Sequence, residues 1–301
     1  MNLLNPCICC PRNCNINRHK ETGYCKIKDK IKVARADLYF YEEPSISGTD
    51  GSGAIFFSNC NLNCLYCQNY KISEKCKGKT ISITRLSEIM IELQNKKAHN
   101  INLVTPTMYI PMIKKAIIKA KKNGLNIPII YNCSGYESVI ALKELEGLID
   151  IYMPDFKYMD DNLSIKYSYC KDYSKYAKES LKEMYRQVGK NTFNNKDHMT
   201  KGVLVRHLIL PGHIDDSKKI LKYLYDTYKN NIYISIMNQY TPVRNIKQYP
   251  ILNKKVTNDE YNEVIDYALK LGVENAYIQE DETVSESFIP EWDFKGIKKI
   301  D

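Results

Sequence analysis

No stretch of this sequence approaches the roughly 18 consecutive apolar residues of a membrane-spanning helix, so no such span is expected. The opening residues, "MNLLNPCICCPRNC", lack the basic leader and apolar core of a secretion signal, and the expectation is a soluble, cytoplasmic protein. Charge of one sign is not concentrated either. Lys and Arg (44) outnumber Asp and Glu (35) for a net charge of +9, but the two signs are mixed along the chain. A solvated basic surface follows, with no nucleic-acid or membrane partner expected, although the excess suits docking of an acidic electron-transfer protein. Disulfide pairing is also disfavoured: eleven cysteines is an odd number, they fall in clusters, and metal ligation is the better reading.

What is present is enough apolar sequence for a large core, 44% of 301 residues. An apolar run at Gly53 to Phe57 is followed by "INLVT" at 101, "IPIIYN" at 127, "IDIYMPDF" at 149, "GVLVRHLIL" at 202 and "IYISIMNQY" at 232. Short runs rich in Ile, Val and Tyr and bounded by Gly, Pro or Asn read as buried parallel strands. Between them, Leu86, Ile89, Met90 and Leu93 recur at helical spacing, as do Ile113, Ala116, Ile117 and Ala120 ahead of Gly124. Val139, Leu142 and Leu145 sketch a third helix, and Tyr261, Val264, Ile265, Ala268 and Leu269 a last one before "AYIQ". Strand alternating with helix about six times gives βα units, in an open partial barrel or a doubly wound sheet. The polar stretch 158–201 reads as a long loop. The organisation expected is a Cys-rich N-terminal module over 1–50, a main domain over 51–290 and a C-terminal tail over 291–301.

The densest chemistry lies in "GAIFFSNCNLNCLYCQNY", where Cys60, Cys64 and Cys67 form C-x3-C-x2-C just past the first strand. Asn59, Asn61 and Asn63 make the segment a polar, turn-forming loop, which argues against three structural core thiols. Structural zinc needs four ligands, and the nearest further cysteine, Cys76, lies beyond "QNYKISEK". A cubane iron-sulfur cluster held by three thiolates leaves one iron open to a small molecule.

This spacing, with Tyr66 ahead of the last cysteine, resembles the radical S-adenosylmethionine (SAM) superfamily, and "CLYCQN" is similar to the group related to the pyruvate formate-lyase activating enzyme. The resemblance implies a partial (β/α)6 TIM-like barrel and a [4Fe-4S] cluster on Cys60, Cys64 and Cys67. SAM would chelate the fourth iron, and its reductive cleavage would yield methionine and a hydrogen-abstracting 5′-deoxyadenosyl radical. "YNCSGY" at 131 resembles the family's Asp-Thr-Asn-Gly turn and "MPDFK" at 153 its Met-Leu-Asp-Leu-Lys. Asp155 thereby matches a cation ligand near the SAM carboxylate, whereas Asn132 replaces the usual aspartate. After the second strand the family's Gly-Gly-Glu is absent; "TPT" stands there, and Thr105 and Thr107 are the candidate ligands for the SAM amino group.

Independently of the resemblance, the cysteine loop, "TPT", "NCSG", "PDFK" and "NQYTP" all fall at the C-terminal ends of expected strands, the ligand-binding rim of such sheets. Tyr66, Asn69, Thr105, Thr107, Asn132, Ser134, Asp155, Lys157, Arg206 and Gln239 are the candidate cofactor-binding residues. Arg206 is either an ion-pair partner or a ligand for a carboxylate or the adenosyl group. Asp155 and Lys157 also suit a mutual salt bridge, and His207 should face away from the interior. The N-terminal Cys7, Cys10, Cys14 and Cys25 read as a structural zinc or iron site in a segment too short for its own core, or as a second cluster.

The function expected is reductive SAM cleavage for hydrogen abstraction, with a flavodoxin or ferredoxin as reductant and a polypeptide, such as a glycyl-radical enzyme, as substrate. A small metabolite is the alternative substrate. A non-enzymatic iron-sulfur electron carrier is the alternative class.

Overall fold

The computed structural model describes residues 2–279 and 289–298. Its strands are β1 (Ile31–Tyr39), β2 (Ser52–Phe57), β3 (Lys79–Ile81), β4 (Ile101–Val104), β5 (Ile129–Cys133), β6 (Ile151–Pro154), β7 (Thr192–Phe193), β8 (Met199–Leu208), β9 (Tyr233–Met237) and β10 (Ala276–Ile278). They form one sheet in the order β10-β9-β8-β6-β5-β4-β2-β1-β3, with β7 paired to β8. Along the path β2-β4-β5-β6-β8-β9-β10 every pairing is parallel.

The helices that carry each crossover are those the apolar spacing indicates. Ile83–Asn95 starts on Ser82, whose side chain accepts the Arg85 N–H, and buries Leu86, Ile89, Met90 and Leu93. Ile110–Lys122 buries Ile113, Ala116, Ile117 and Ala120. Asn258–Leu271 opens with a capping box of Thr257 and Glu260 and closes on Gly272 in the left-handed conformation, satisfying backbone groups at both ends.

The structure differs from the sequence reading in two places. The 158–201 stretch is not a loop: it carries helices Asp161–Ser168 and Tyr173–Val188 and then the short β7–β8 hairpin. Tyr173, Ala177, Leu181, Met184 and Val188 are the buried stripe of the longer helix, diluted by six Lys, Arg and Glu residues between them. The second difference concerns residues 31–50. β1 pairs antiparallel with β2 and with β3, extending the sheet beyond the first parallel strand. The chain then turns at Pro44–Ser47 and inserts Ile46 among Ile130, Ile151, Met153, Met199 and Leu204, side chains that fill the barrel interior.

That insertion fills the interior below the strand ends, and a cavity opens at the C-terminal rim. Ile46 is fully buried, and Ile46→Ala should cost about 2–5 kcal/mol, the range for emptying such a site. The shift in denaturant midpoint measures it, and a loss under about 1 kcal/mol would mean that the segment adds little to barrel stability.

Candidate active site

The loop after β2 leaves the sheet through Asn59, held at φ +69. Its amide donates to the carbonyls of Cys25 (2.9 Å) and Lys26 (3.3 Å), so the N-terminal module fixes the turn. Further along, Asn61 donates to the Tyr136 carbonyl at 2.7 Å and receives Arg12 Nε on its own carbonyl at 3.0 Å. Arg244 donates to the carbonyls of Leu65 and Cys64, at 2.6 and 3.2 Å. A polar loop with few apolar anchors is thus pinned by hydrogen bonds from four directions.

The three sulfurs each meet a hydrogen-bonding group. Cys60 Sγ accepts the Leu62 N–H at 3.3 Å, Cys64 Sγ accepts the Ser168 hydroxyl at 3.0 Å, and Cys67 Sγ lies 3.3 Å from Ser73 Oγ. Ser168 is itself fixed by a run of hydroxyls through Tyr158 to Tyr66, each contact 2.6 Å. Burial pushes the Cys60 and Cys64 thiols up, and the Lys157 ammonium acts in the opposite direction on both. Three thiols with N–H and O–H donors and a nearby cation fit a thiolate-held cluster, whose negative charge such donors stabilise.

The sulfurs line a cavity of about 230 Å³. Around it stand Tyr66, Asn69, Thr105, Asn132, Ser134, Asp155, Lys157, Arg206 and Gln239 from the strand ends. Parallel register explains the convergence: Val104 pairs with Asn132, Asn132 with Met153, and Asp155 bridges to Arg206. Gly135 sits at φ +77, and a Cβ there would lie 2.2 Å from the Asp155 carbonyl oxygen, so only glycine lets these two turns approach. Thr105 is also left-handed, at φ +61, a strained state for a β-branched residue and located on the cavity wall. Ser134 Oγ is buried and has no partner among the described residues, leaving a donor for a ligand.

Arg206 organises the floor. Its Nε donates to Asp155 at 3.2 Å, Nη1 to Glu42 at 3.1 Å and Nη2 to the Asn132 carbonyl oxygen at 2.6 Å. Lys157 donates to the second Asp155 oxygen at 2.7 Å. Burial works against the Asp155 carboxylate, but Lys157 and Arg206 outweigh it and hold its pKa below the usual range. Burial dominates at Glu42, raising it to about 7 despite Arg206, which is shared with Asp155.

Glu42 also accepts the Asn102 amide at 2.8 Å. No motif marks it: Glu42 lies in a loop before the first parallel strand and reaches the cavity only through the insertion of that segment. Tyr39, Tyr41, Gln68, Ser73 and Met237 are further wall residues that spacing did not reveal.

Two expectations need restating. Thr107 does not face the cavity: it is fully buried in the turn after β4 and donates its hydroxyl to Glu137 at 2.8 Å. The turn of 3-10 helix at Thr107–Tyr109 rotates it away from Thr105, so only Thr105 of the pair lines the site. The N-terminal thiols lie outside the cavity, Cys7, Cys9 and Cys10 buried and Cys14 and Cys25 half-buried. Among the described residues no three Cys, His, Asp or Glu side chains sit at the spacing of a single metal ion, and this includes Cys60, Cys64 and Cys67. His207 faces away as expected, bonded to the Phe156 carbonyl and Ser217 hydroxyl, each at 2.8 Å.

A partial parallel barrel with three thiols and an ion network at its C-terminal rim defines a class of cluster-binding barrel. The chain belongs to the radical SAM superfamily, whose family model matches residues 54–224. An uncharacterized protein of Methanocaldococcus jannaschii is 29% identical over 285 residues, covering 92% of this chain and 78% of that one. The pyruvate formate-lyase-activating enzyme of Staphylococcus aureus is 22% identical over 202 residues, covering 61% and 73%. Among solved structures, Streptococcus suis SuiB bound to its precursor peptide SuiA aligns with a TM-score of 0.51 at 12% identity, over 74% of this chain. This chain spans 47% of SuiB, about half its length. HydG, a maturase of the [FeFe]-hydrogenase, aligns with a TM-score of 0.51 at 14% identity, over 76% of this chain and 52% of HydG. The likenesses to solved structures show the partial-barrel fold. No helix among the described residues is long and apolar enough to cross a membrane.

Glu137 yields a pH prediction. Burial raises its carboxyl to about 8, and its hydrogen-bond neighbours are Thr107, Tyr131 and Cys133, none of them cationic. Its folded value lies above the ordinary 4.5, so the folded state holds the proton more tightly. This contribution to stability is present at low pH and is lost as pH rises from about 4.5 through 8. Glu137→Gln should flatten that part of the stability–pH curve, read by denaturant unfolding at pH steps. An unchanged slope would mean that Glu137 does not titrate there.

Proposed function

We propose that this protein cleaves SAM reductively and uses the resulting 5′-deoxyadenosyl radical to abstract hydrogen from a polypeptide substrate. Membership of the radical SAM superfamily supports the chemistry, and the family implies a [4Fe-4S] cluster and SAM. When bound, the cluster supplies the electron that splits SAM. One observation carries the reading: Cys60, Cys64 and Cys67 share a single cavity with the Asp155, Lys157 and Arg206 network.

The chain's own groups divide the work. Cys60, Cys64 and Cys67 hold the cluster, with Leu62 and Ser168 donating to two of the sulfurs. Lys157 favours the thiolate at Cys64. Ser134, Asn132 and Arg206 face the space beside the sulfurs and suit the carboxylate and hydroxyls of SAM, while Asp155, Thr105 and Glu42 present acceptors for its ammonium. Tyr66, Asn69 and Gln239 complete the wall. The reductant is a low-potential donor such as a flavodoxin or ferredoxin.

The polypeptide substrate, with a glycyl-radical enzyme as the specific case, is supported by the similarity to the Staphylococcus aureus activating enzyme. The second reading, a small metabolite, is favoured by the cavity itself: about 230 Å³, with Tyr41, Phe56, Ile289 and Pro290 walling one side.

Anaerobically reconstituted protein, reduced with dithionite in the presence of SAM, should release 5′-deoxyadenosine. A reduced cluster that neither binds nor cleaves SAM would instead establish an electron carrier. Cys64→Ser should abolish release while leaving the fold largely intact. Arg206→Met should weaken SAM binding by about tenfold or more, the loss of a charge-assisted contact, seen as a raised KM.

A further inference from the structure

The segment 289–298 is bound to the barrel along its length. Trp292, the only tryptophan in the sequence, is buried with Ala34, Ala54, Phe56, Ile72 and Val104, and its ring meets Phe56 edge to face at 5.3 Å. Ala34 and Ala54 are buried yet small, which leaves room for an indole against a sheet otherwise rich in Ile and Val. Three residues on, the Ala36 N–H of β1 donates to the Lys295 carbonyl at 2.9 Å. A Cβ on Gly296 would lie 1.9 Å from the Ala36 carbonyl oxygen, so only glycine lets the segment run this close to the strand. Asp293 pairs with Arg35 at 2.7 Å, and Lys295 pairs with Asp37. Arg85, in the first turn of Ile83–Asn95, donates to the carbonyls of Gly296, Ile297 and Lys298 at 3.1, 3.0 and 2.8 Å while Glu92 pairs with its guanidinium. Ile297 is buried in the main core.

These anchors fix what lies just ahead of them. Ile289 and Pro290 line the cavity that contains the three sulfurs. Ile289 packs against the Trp292 cluster, and three members of that cluster, Phe56, Ile72 and Val104, line the same cavity. Trp292 is not on this wall but is packed with residues that are. Where the strand ends contribute charges and amides, the segment contributes two apolar side chains, one of them a proline with fixed φ. Moving them aside requires breaking several anchoring contacts together, so the wall holds its width.

We propose that residues 289–298 form a strap that decides how wide a molecule can reach Cys60, Cys64 and Cys67, with Ile289 and Pro290 as the selecting surface and Trp292 and Arg85 as positioning residues. This rests on the reading of the cavity as the catalytic one and narrows its substrate. The portion that passes the strap is narrow and apolar, as an extended stretch of polypeptide provides and a folded surface does not.

Thiol labelling of the full chain prepared without iron tests the strap, because it needs neither cluster nor SAM and so stands apart from the 5′-deoxyadenosine assay. N-ethylmaleimide and N-pyrenylmaleimide carry the same reactive ring and differ in width, and peptide mapping by mass spectrometry reads each cysteine separately. In the unaltered chain the pyrenyl reagent should label Cys60, Cys64 and Cys67 about tenfold or more slowly than the ethyl reagent, after correction by their ratio at Cys76, which lies outside the cavity. Trp292→Ala should remove most of that difference and Trp292→Phe should largely restore it. Ile289→Trp, which leaves the anchors in place, should increase it. If Trp292→Ala does not fold, Ile289→Gly serves in its place, with the same loss of discrimination expected. Equal labelling by both reagents in the unaltered chain, or variants in which every cysteine reacts faster to the same degree, would overturn the strap as a filter.

Discussion

One half-buried guanidinium, Arg206, sets the arrangement of everything at the mouth of the barrel. It sits on β8 but reaches β5 through Asn132, the end of β6 through Asp155 and the segment after β1 through Glu42. An ion pair of this kind gains little net energy from attraction alone, because desolvation opposes it. What it fixes is geometry: three elements far apart in sequence must present acceptors at one point, and only one register of the parallel strands does so. The same constraint leaves two carboxylates competing for one cation. Asp155, with Lys157 as a second partner, is held below the usual carboxylate range, while burial raises Glu42 to about 7.

The cysteine loop depends on a different principle. It has few apolar anchors, so its shape comes from amide and guanidinium groups that reach in from outside: Asn59 toward the N-terminal module, Arg12 from that module, and Arg244 from the segment after β9. The hydroxyl run from Tyr66 through Tyr158 and Ser168 to Cys64 extends this control to the sulfur itself. A module that looks like an appendage in the sequence is, in the structure, one of the supports of the cysteine loop.

The parallel core was legible because burial on both faces forces continuous Ile- and Val-rich runs, and because helices that pack on a sheet must show an apolar stripe. The cysteine loop stood out because three thiols fall at C-x3-C-x2-C spacing within one polar turn. Less visible were the features that depend on distant parts of the chain. The helix Tyr173–Val188 keeps its stripe, but charged residues between the stripe positions lower its contrast. β1 carries an apolar pattern interrupted by the charged Lys32, Arg35 and Asp37, and it reads as part of the small module until its pairing with β2 is seen. Thr107 was misplaced because a single 3-10 turn reverses its direction, and sequence spacing does not register that turn. Glu42 carried no local signature at all, since its role comes only from where Ile46 anchors the chain.

That anchoring has a consequence for where this protein can be cut. The family match begins at residue 54, and the parallel strands begin at Ser52. A fragment starting there would keep Cys60, Cys64, Cys67 and every crossover helix. It would also leave Arg206 with one carboxylate fewer and open the barrel interior where Ile46 now sits. The barrel therefore takes in more than the stretch that the family model matches: ahead of residue 54, β1 extends its sheet and Ile46 fills its interior.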